Sequence, residues 1–203
     1  MDDQELLSAW RAGDRRAGNT LFTRHFDSVR RFFINKVDGS VEDLVQKTFI
    51  ACVEGLDRFR EAASFRTFIF GIARHLLHEY IRSKRRAQVL DLDELSLVDL
   101  GASPTSILAA HFEAQLLMRA LREIPVDLQV ILELYYWEEM SGGELGSILG
   151  VPEDTARSRL RKARILLKEQ MIRLSSELLP SFDITLTTID QWAKSLRTQG
   201  SLP

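Results

Sequence analysis

The sequence has little of several features that mark other classes of protein. Only one of its 203 residues is cysteine and only five are proline. A single cysteine excludes an intramolecular disulfide and is typical of a reducing compartment. No apolar run reaches the ~18 residues that a membrane span needs, and the acidic start Met1-Asp2-Asp3 is unlike a secretory signal. We therefore expect a soluble, cytoplasmic protein without membrane insertion.

Motifs of common catalytic sites are also missing. The sequence contains no glycine-rich phosphate loop of the GxxxxGK type. His75, His78 and Glu79 form an H-x-x-H-E pattern, which matches neither order of zinc-protease ligands. No nucleophile and base stand at a spacing that indicates covalent chemistry. We expect a protein that is not an enzyme, with no catalytic residue, no metal site and no cofactor.

Charge is distributed unevenly, although the net charge of the chain is only −2. Residues 1–90 carry a net charge of +4, and residues 114–203 carry −1. The segment 91–113 between them has five acidic side chains and no Lys or Arg. An acidic segment between two parts with basic stripes indicates a linker between modules.

Apolar residues recur at helical spacing over most of the chain, and no pair of strands is indicated. The pattern predicts helices over about 41–56, 65–86, 107–123 and 126–137. The fold class that follows is all-α: two small helical domains joined by an acidic linker, the second containing a helix-turn-helix, plus a C-terminal helical extension. We place the first domain at 1–88, the linker at 89–106, the second domain at 107–175 and the extension at 176–203, with a last helix near 187–197.

The strongest local motif lies between Met140 and Met171. Ser141 followed by Glu144 is a capping-box signature, Gly150 suits a left-handed helix end, and a second helix begins near Glu153. Seven basic side chains and one acidic side chain lie from Arg157 to Arg173. A short helix, a glycine turn and a basic helix predict a helix-turn-helix that places its second helix in the DNA major groove. The alternative is a solvated cationic helix in an ordinary bundle.

Two segments together resemble the extracytoplasmic-function (ECF) subfamily of sigma-70 factors of bacterial RNA polymerase. Within the first segment, Asp43-Leu44-Val45-Gln46-Lys47-Thr48-Phe49 resembles the polymerase-binding helix of that family, and residues 65–75 resemble its promoter-melting helix. The second segment, residues 120–171, resembles the domain that reads the upstream promoter element. The resemblance implies three kinds of partner: core RNA polymerase, promoter DNA as duplex and as melted single strand, and an anti-sigma factor.

The resemblance and the chemistry of the side chains assign three groups of site residues. The polymerase-binding residues are Asp43, Leu44, Gln46, Lys47 and Phe49. The promoter-melting residues, which contact the downstream element, are Phe59, Arg60, Phe65, Arg66, Arg74, His75 and Arg82. The upstream-element residues are Asp154, Arg157, Ser158, Arg159, Arg161 and Lys162. For Phe59 and Phe65, ordinary core packing is the competing interpretation, since aromatic side chains are mostly buried. Arg159 and Arg164 are better placed for phosphates than for base edges.

The sequence departs from the family pattern in three places. His75 stands where the family often has Asn. Glu153-Asp154 opens the second helix where small or neutral residues are usual, either to complement the helix dipole or so that Asp154 can accept a hydrogen bond from cytosine N4. Gly142, Gly143 and Gly146 are expected to weaken the preceding helix, each by up to ~1 kcal/mol relative to Ala.

The function that follows is that of an ECF sigma factor, which binds core RNA polymerase and directs sequence-specific promoter recognition and transcription initiation. The alternative is a helix-turn-helix transcriptional regulator that acts without core polymerase, typically as a dimer on a palindrome. The tail from Pro180 onward goes beyond the family pattern, and we hypothesise that it has a regulatory role.

Overall fold

A computed structural model describes residues 1–34, 36–56, 59, 64–90, 108–178 and 190. Within these ranges the regular structure consists of eight helices and no strand, which confirms the all-α prediction. The helices are α1 (Asp3–Arg11), α2 (Arg15–Ile34), α3 (Val41–Gly55), α4 (Phe65–Leu90), α5 (Leu108–Arg122), α6 (Val126–Tyr136), α7 (Gly142–Leu149) and α8 (Glu153–Leu178). None of the helices in these ranges is long and apolar enough to cross a membrane.

The first four helices form one module around an aromatic core. α2, α3 and α4 pack against one another, and α1 lies across α2 and α4. Leu21, Phe33, Phe65 and Ile69 are almost fully buried there. Cys52 is buried as well, and burial raises the pKa of its thiol to about 12. Cys52 is therefore part of the hydrophobic core.

The end of this module differs from the sequence-based boundary. α4 continues to Leu90, so the predicted domain end at residue 88 and the predicted linker start at residue 89 both fall inside the helix. The helix predicted over 65–86 therefore continues for one more turn beyond the basic side chains Arg82, Lys84, Arg85 and Arg86. The helix continues because residues 87–90 contain neither Gly nor Pro to stop it.

The second module consists of α5 to α8. The long helix α8 packs against α5, α6 and α7. Ala156, Ala163 and Leu167 of α8 are almost fully buried, as their spacing predicts. The helix-turn-helix formed by α7 and α8 is confirmed, with the bounds that its capping signals indicate.

Both ends of α7 are fixed by the predicted local chemistry. The backbone N–H of Ser141 donates to Glu144 Oε2 at 2.9 Å, and the N–H of Glu144 donates to Ser141 Oγ at 3.3 Å, which completes the capping box. Although burial opposes it, the hydrogen bonds from Ser141 hold the pKa of Glu144 below its ordinary value. Gly150 ends the helix in the left-handed conformation with φ of 67°.

Gly146 has a role that its helix propensity does not reveal. A Cβ at this position would lie 2.8 Å from the carbonyl oxygen of Val151, in the turn between α7 and α8. Any side chain here would therefore push the turn away from α7. The expectation that this glycine merely weakens the helix is wrong, because its absent Cβ permits the close approach of α7 and the turn.

We expect Gly146→Ala to destabilise the second module by about 1–3 kcal/mol, the cost of overpacking a site that cannot relax. Gly143→Ala is the matched control: it adds the same methyl group to an exposed position of α7, where the nearest atom, Glu153 Oε2, is at 3.6 Å. This control is expected to stabilise α7 by up to ~1 kcal/mol. Urea unfolding of both variants measures the two effects, and equal midpoints would contradict the close-approach explanation.

Candidate functional site

The basic helix α8 presents all six predicted DNA-contacting side chains to solvent. Four of them, Asp154, Arg157, Ser158 and Arg161, recur at i, i+3, i+4 and i+7 and share one face over two turns. Arg159 and Lys162 flank that face. This is the distribution that a recognition helix needs, with base-reading side chains in the centre and phosphate-binding side chains beside them.

One of these arginines is engaged within the helix. Arg157 Nε donates to Glu153 Oε1 at 2.9 Å, so an i,i+4 ion pair orients its guanidinium toward the N-terminus of α7. Both side chains are about half exposed or more, with 67% for Arg157 and 47% for Glu153. Such a pair is worth little in water, so Arg157 remains available to a base or a phosphate. Asp154 is exposed at the first turn of α8, a position that suits both of its predicted roles.

The predicted promoter-melting residues are divided between surface and core. Arg74, His75 and Arg82 lie on α4 and line a groove of about 730 Å³ between α4 and the start of α6. Further cationic side chains from both modules, Arg85 and Arg122, line the same groove. The cationic side chains that α4 contributes to this groove suit a nucleic-acid backbone.

The two aromatic side chains predicted to stack on bases are buried instead. Phe65 is 1% exposed, and its ring lies 6.3 Å from that of Trp10 and 5.5 Å from that of His25. Phe59 is 8% exposed, with its ring 4.6 Å from that of Phe68. The prediction that these rings offer a stacking surface is wrong for this arrangement, because both fill the core beneath α4. Arg60 lies outside the described residues.

The predicted polymerase-binding helix is α3, and its charged side chains face outward. Asp43, Gln46 and Lys47 are exposed, and Lys47 Nζ donates to Asp43 Oδ2 at 2.7 Å. Leu44 is buried and Phe49 is half-buried, so these two hold the helix against α2 and α4. Three of the five residues are therefore directly accessible to a partner.

An apolar groove beside these charges was not predicted. It lies between α2 and α3, has a volume of about 640 Å³, and is lined by Phe22, Phe26, Val45, Phe49, Ile50 and Val53 among others. Phe26, Ile50 and Val53 are 45%, 47% and 53% exposed. The helical periodicity of α2 and α3 predicts that Phe26 and Val53 are core residues, and their exposure shows that this prediction is wrong. The signal that could have found the groove is the i, i+4, i+7 spacing of Gln46, Ile50 and Val53 on one side of α3, away from the buried Leu44, Thr48 and Cys52.

The two modules contact each other, with α4 packed against α7. Ion pairs cross this contact, and in each the first module supplies the cation and the second the carboxylate. They join Arg31 to Glu138, Lys36 to Glu133, Arg66 to Glu144, and Arg74 to Asp127. The imidazole of His78 also contacts the Asp127 carboxylate. Two of the predicted promoter-melting arginines, Arg66 and Arg74, are thus occupied by carboxylates of the other module.

The pair between Lys36 and Glu133 is the most deeply placed of these contacts. The Lys36 side chain is 0% exposed and that of Glu133 is 13% exposed. Burial lowers the pKa of Lys36 and raises the pKa of Glu133, and their mutual attraction opposes both shifts. Lys36 Nζ also lies 4.5 Å from the centre of the Phe32 ring. Removing either partner of such a pair would leave the other charge buried without its counter-ion.

In the part of the chain that the structure describes, no three His, Cys, Asp or Glu side chains are grouped so that they could hold a metal ion. His78 instead lies 3.0 Å from Asp127. The chemistry that the described surface offers is recognition: a cationic helix, a cationic groove and an apolar groove with a charged rim.

Comparison with known proteins gives matches over both modules. The family model for sigma-70 region 2 matches residues 21–87, and the model for sigma-70 region 4 matches residues 114–167. Together they cover about three fifths of the chain. The ECF RNA polymerase sigma-E factor of Escherichia coli (strain K12) is 29% identical over 174 residues, which is 81% of this chain and 91% of that protein. The sigma-E factor of Haemophilus influenzae is 24% identical, over 84% of this chain and 96% of that protein.

Two solved structures share the fold. One is the sigma factor RpoE in complex with the anti-sigma factor NepR from Bartonella quintana, with a TM-score of 0.61, 22% identity, and coverage of 75% of this chain and 95% of that chain. The other is CnrH in complex with the cytosolic domain of CnrY, with a TM-score of 0.57, 22% identity, and coverage of 82% and 95%.

Proposed function

This chain belongs to the sigma-70 family, in its ECF group, and on that premise we propose how its two modules divide the work of transcription initiation. As a sigma factor it is not an enzyme; it binds core RNA polymerase and directs promoter recognition. A helix-turn-helix regulator that acts without core polymerase is not supported, because residues 21–87 match sigma-70 region 2 in addition to the match of the helix-turn-helix module to region 4.

The surface proposed for core polymerase is the groove between α2 and α3 with its rim of Asp43, Gln46 and Lys47. Its support is the exposure of Phe26, Ile50 and Val53, since large apolar side chains gathered in one open groove mark an interaction site. The charged rim favours encounter and register, whereas the apolar centre supplies affinity.

The surface proposed for the upstream promoter element is the exposed face of α8. Arg157, Ser158 and Arg161 would reach base edges, with Arg159 and Lys162 on phosphates. The single observation that carries this proposal is that all of these side chains are exposed on the second helix of a helix-turn-helix.

The surface proposed for the downstream element and its melted strand is the part of α4 that carries Arg74, His75 and Arg82. In the described arrangement Asp127 lies 3.3 Å from Arg74 and Glu144 lies 4.0 Å from Arg66. A DNA strand can replace these carboxylates only when the second module moves away. We therefore include separation of the modules as a step that precedes promoter opening.

The experiment that tests this division compares two double variants in transcription with core polymerase, on promoters selected from a random library. Arg161→Ala with Lys162→Ala is expected to lower transcription about 10- to 100-fold, because it removes one base contact worth about 1–3 kcal/mol and one phosphate contact, while core binding stays unchanged. Asp43→Ala with Gln46→Ala is expected to weaken core binding and to leave duplex binding by α8 unchanged. An identical defect in both double variants would refute the division.

Three further statements belong to this proposal. The modules are bounded at about residues 1–90 and 108–178, because the predicted end at residue 175 falls inside α8, and the acidic stretch between them is the linker. The protein acts in the cytoplasm, where the polymerase is. An anti-sigma factor controls it, as the resemblance implies; one solved neighbour, the sigma factor RpoE, was determined in complex with the anti-sigma factor NepR.

A further inference from the structure

Residue 190 of the C-terminal extension contacts the DNA-reading module. Arg164 of α8 donates from one terminal nitrogen to both carboxylate oxygens of Asp190, at 2.8 and 2.7 Å. The hydroxyl of Tyr136, on α6, donates to Asp190 Oδ1. Burial and the Asp190 carboxylate raise the pKa of Tyr136, so this hydroxyl stays protonated and remains a donor. Asp190 lies beyond residue 167, where the match to sigma-70 region 4 ends.

Because Arg164 lies on α8, its contact with Asp190 bears directly on the surface proposed for DNA binding. Arg157, Arg161, Arg164 and Lys168 follow at i, i+4, i+7 and i+11 and form one basic stripe along the helix. A helix of 26 residues is about 39 Å long, whereas the major groove is about 12 Å wide. The first turns of α8 can therefore lie in the groove, and Arg164 follows at the edge, where the phosphate backbone runs.

Asp190 binds the Arg164 side chain, but not every hydrogen-bond donor of the guanidinium has a partner among the described residues. It is 27% exposed, and Asp190 is 35% exposed, so the pair lies at the rim of the module within reach of solvent. Arg164 Nε is buried and has no hydrogen-bond partner among the described residues. Asp190 accepts from only one terminal nitrogen of Arg164, whereas a phosphate group has enough acceptor oxygens to accept from both.

We propose that Asp190 of the C-terminal extension masks one phosphate-binding side chain of the DNA-reading helix in cis: Asp190 occupies Arg164 in place of a DNA phosphate, and Tyr136 holds the carboxylate there. The extension then lowers the affinity of the free protein for DNA, and promoter DNA must displace Asp190 to gain this contact. The inference rests on the proposed role of α8 in DNA binding and adds a way in which that binding is regulated.

The test measures binding of the full chain to a labelled 30-base-pair duplex of mixed sequence by fluorescence anisotropy, from ~0.05 to ~0.2 M NaCl. One additional phosphate contact makes the slope of log K against log salt steeper by about 0.9. We expect this change for Asp190→Asn, together with about fivefold tighter binding, which corresponds to about 1 kcal/mol. Tyr136→Phe is expected to change binding in the same direction by less.

Two further variants separate masking from other effects. Asp183→Asn removes the same charge from the same extension and is expected to leave the slope as in the wild type. Asp190→Asn combined with Arg164→Gln is expected to return the slope to the wild-type value. If Asp190→Asn behaves like Asp183→Asn, or weakens DNA binding while lowering the unfolding temperature, the ion pair is a structural staple and the masking proposal is overturned.

The variant Arg161→Ala distinguishes a failure of the masking proposal from a failure of the proposed DNA-reading role of α8. If Arg161→Ala weakens duplex binding but Asp190→Asn has no effect on it, α8 reads DNA and only the masking proposal is wrong. If Arg161→Ala leaves duplex binding unchanged, the role of α8 is wrong, and the masking proposal fails with it.

Discussion

Replacing Glu133 with Ala is expected to separate the two modules. The change leaves the Lys36 ammonium, whose side chain is 0% exposed, without its carboxylate in the contact between modules. Removing one partner of a buried ion pair costs about 3–5 kcal/mol, and the chain can avoid this cost by opening and hydrating Lys36. The radius of gyration from small-angle X-ray scattering is therefore expected to increase in Glu133→Ala, and the urea midpoint for loss of the module contact is expected to fall.

Two controls decide whether the buried pair is responsible. Glu42→Ala removes the exposed partner of Arg30, at 3.6 Å and 76% exposed, and is expected to cost less than ~1 kcal/mol. Lys36→Met combined with Glu133→Leu replaces the pair by apolar side chains, which is often neutral or stabilising, and is expected to restore the compact form. If Glu133→Ala stayed as compact as Glu42→Ala, the pair would not hold the modules together.

The second large effect is expected at the polymerase surface. Ile50→Glu places a charge in the apolar groove between α2 and α3, where a docked partner would bury it without an ion pair. Central apolar side chains of an interface contribute 2 kcal/mol or more when they are hot spots, so we expect binding of core RNA polymerase to weaken about 30-fold or more. Affinity is measured by titrating the labelled chain with core polymerase.

Ile172→Glu is the matched control for this variant. Ile172 lies on α8 in the other module and is 44% exposed, against 47% for Ile50. The same substitution at the same exposure is expected to leave polymerase affinity within about twofold, since surface changes away from an interface have small effects. Equal losses in the two variants would indicate a general effect of charge, and no loss in either would place the polymerase contact elsewhere.

How much of the structure could be predicted from the sequence depends on the distance along the chain over which each interaction acts. The helix-turn-helix was predictable because its signals act over a few residues: Ser141 caps α7 with Glu144, and Gly150 ends it. The outward face of α8 was predictable for the same reason, since the period of the helix separates its arginines from Ala156 and Ala163. The buried rings of Phe59 and Phe65 were not predictable, because an aromatic residue suits a core and a stacking surface equally well.

The sequence by itself determined the helices, the two modules and the family, since capping, helical periodicity and motif spacing are local properties of the chain. Only the tertiary structure decided which side chains of the predicted sites are exposed and which are paired with a distant side chain. Lys36 and Glu133 are 97 residues apart, and Arg164 and Asp190 are 26 residues apart. No local pattern pairs such residues, because a charge finds its buried partner only when packing of the helices brings both out of water.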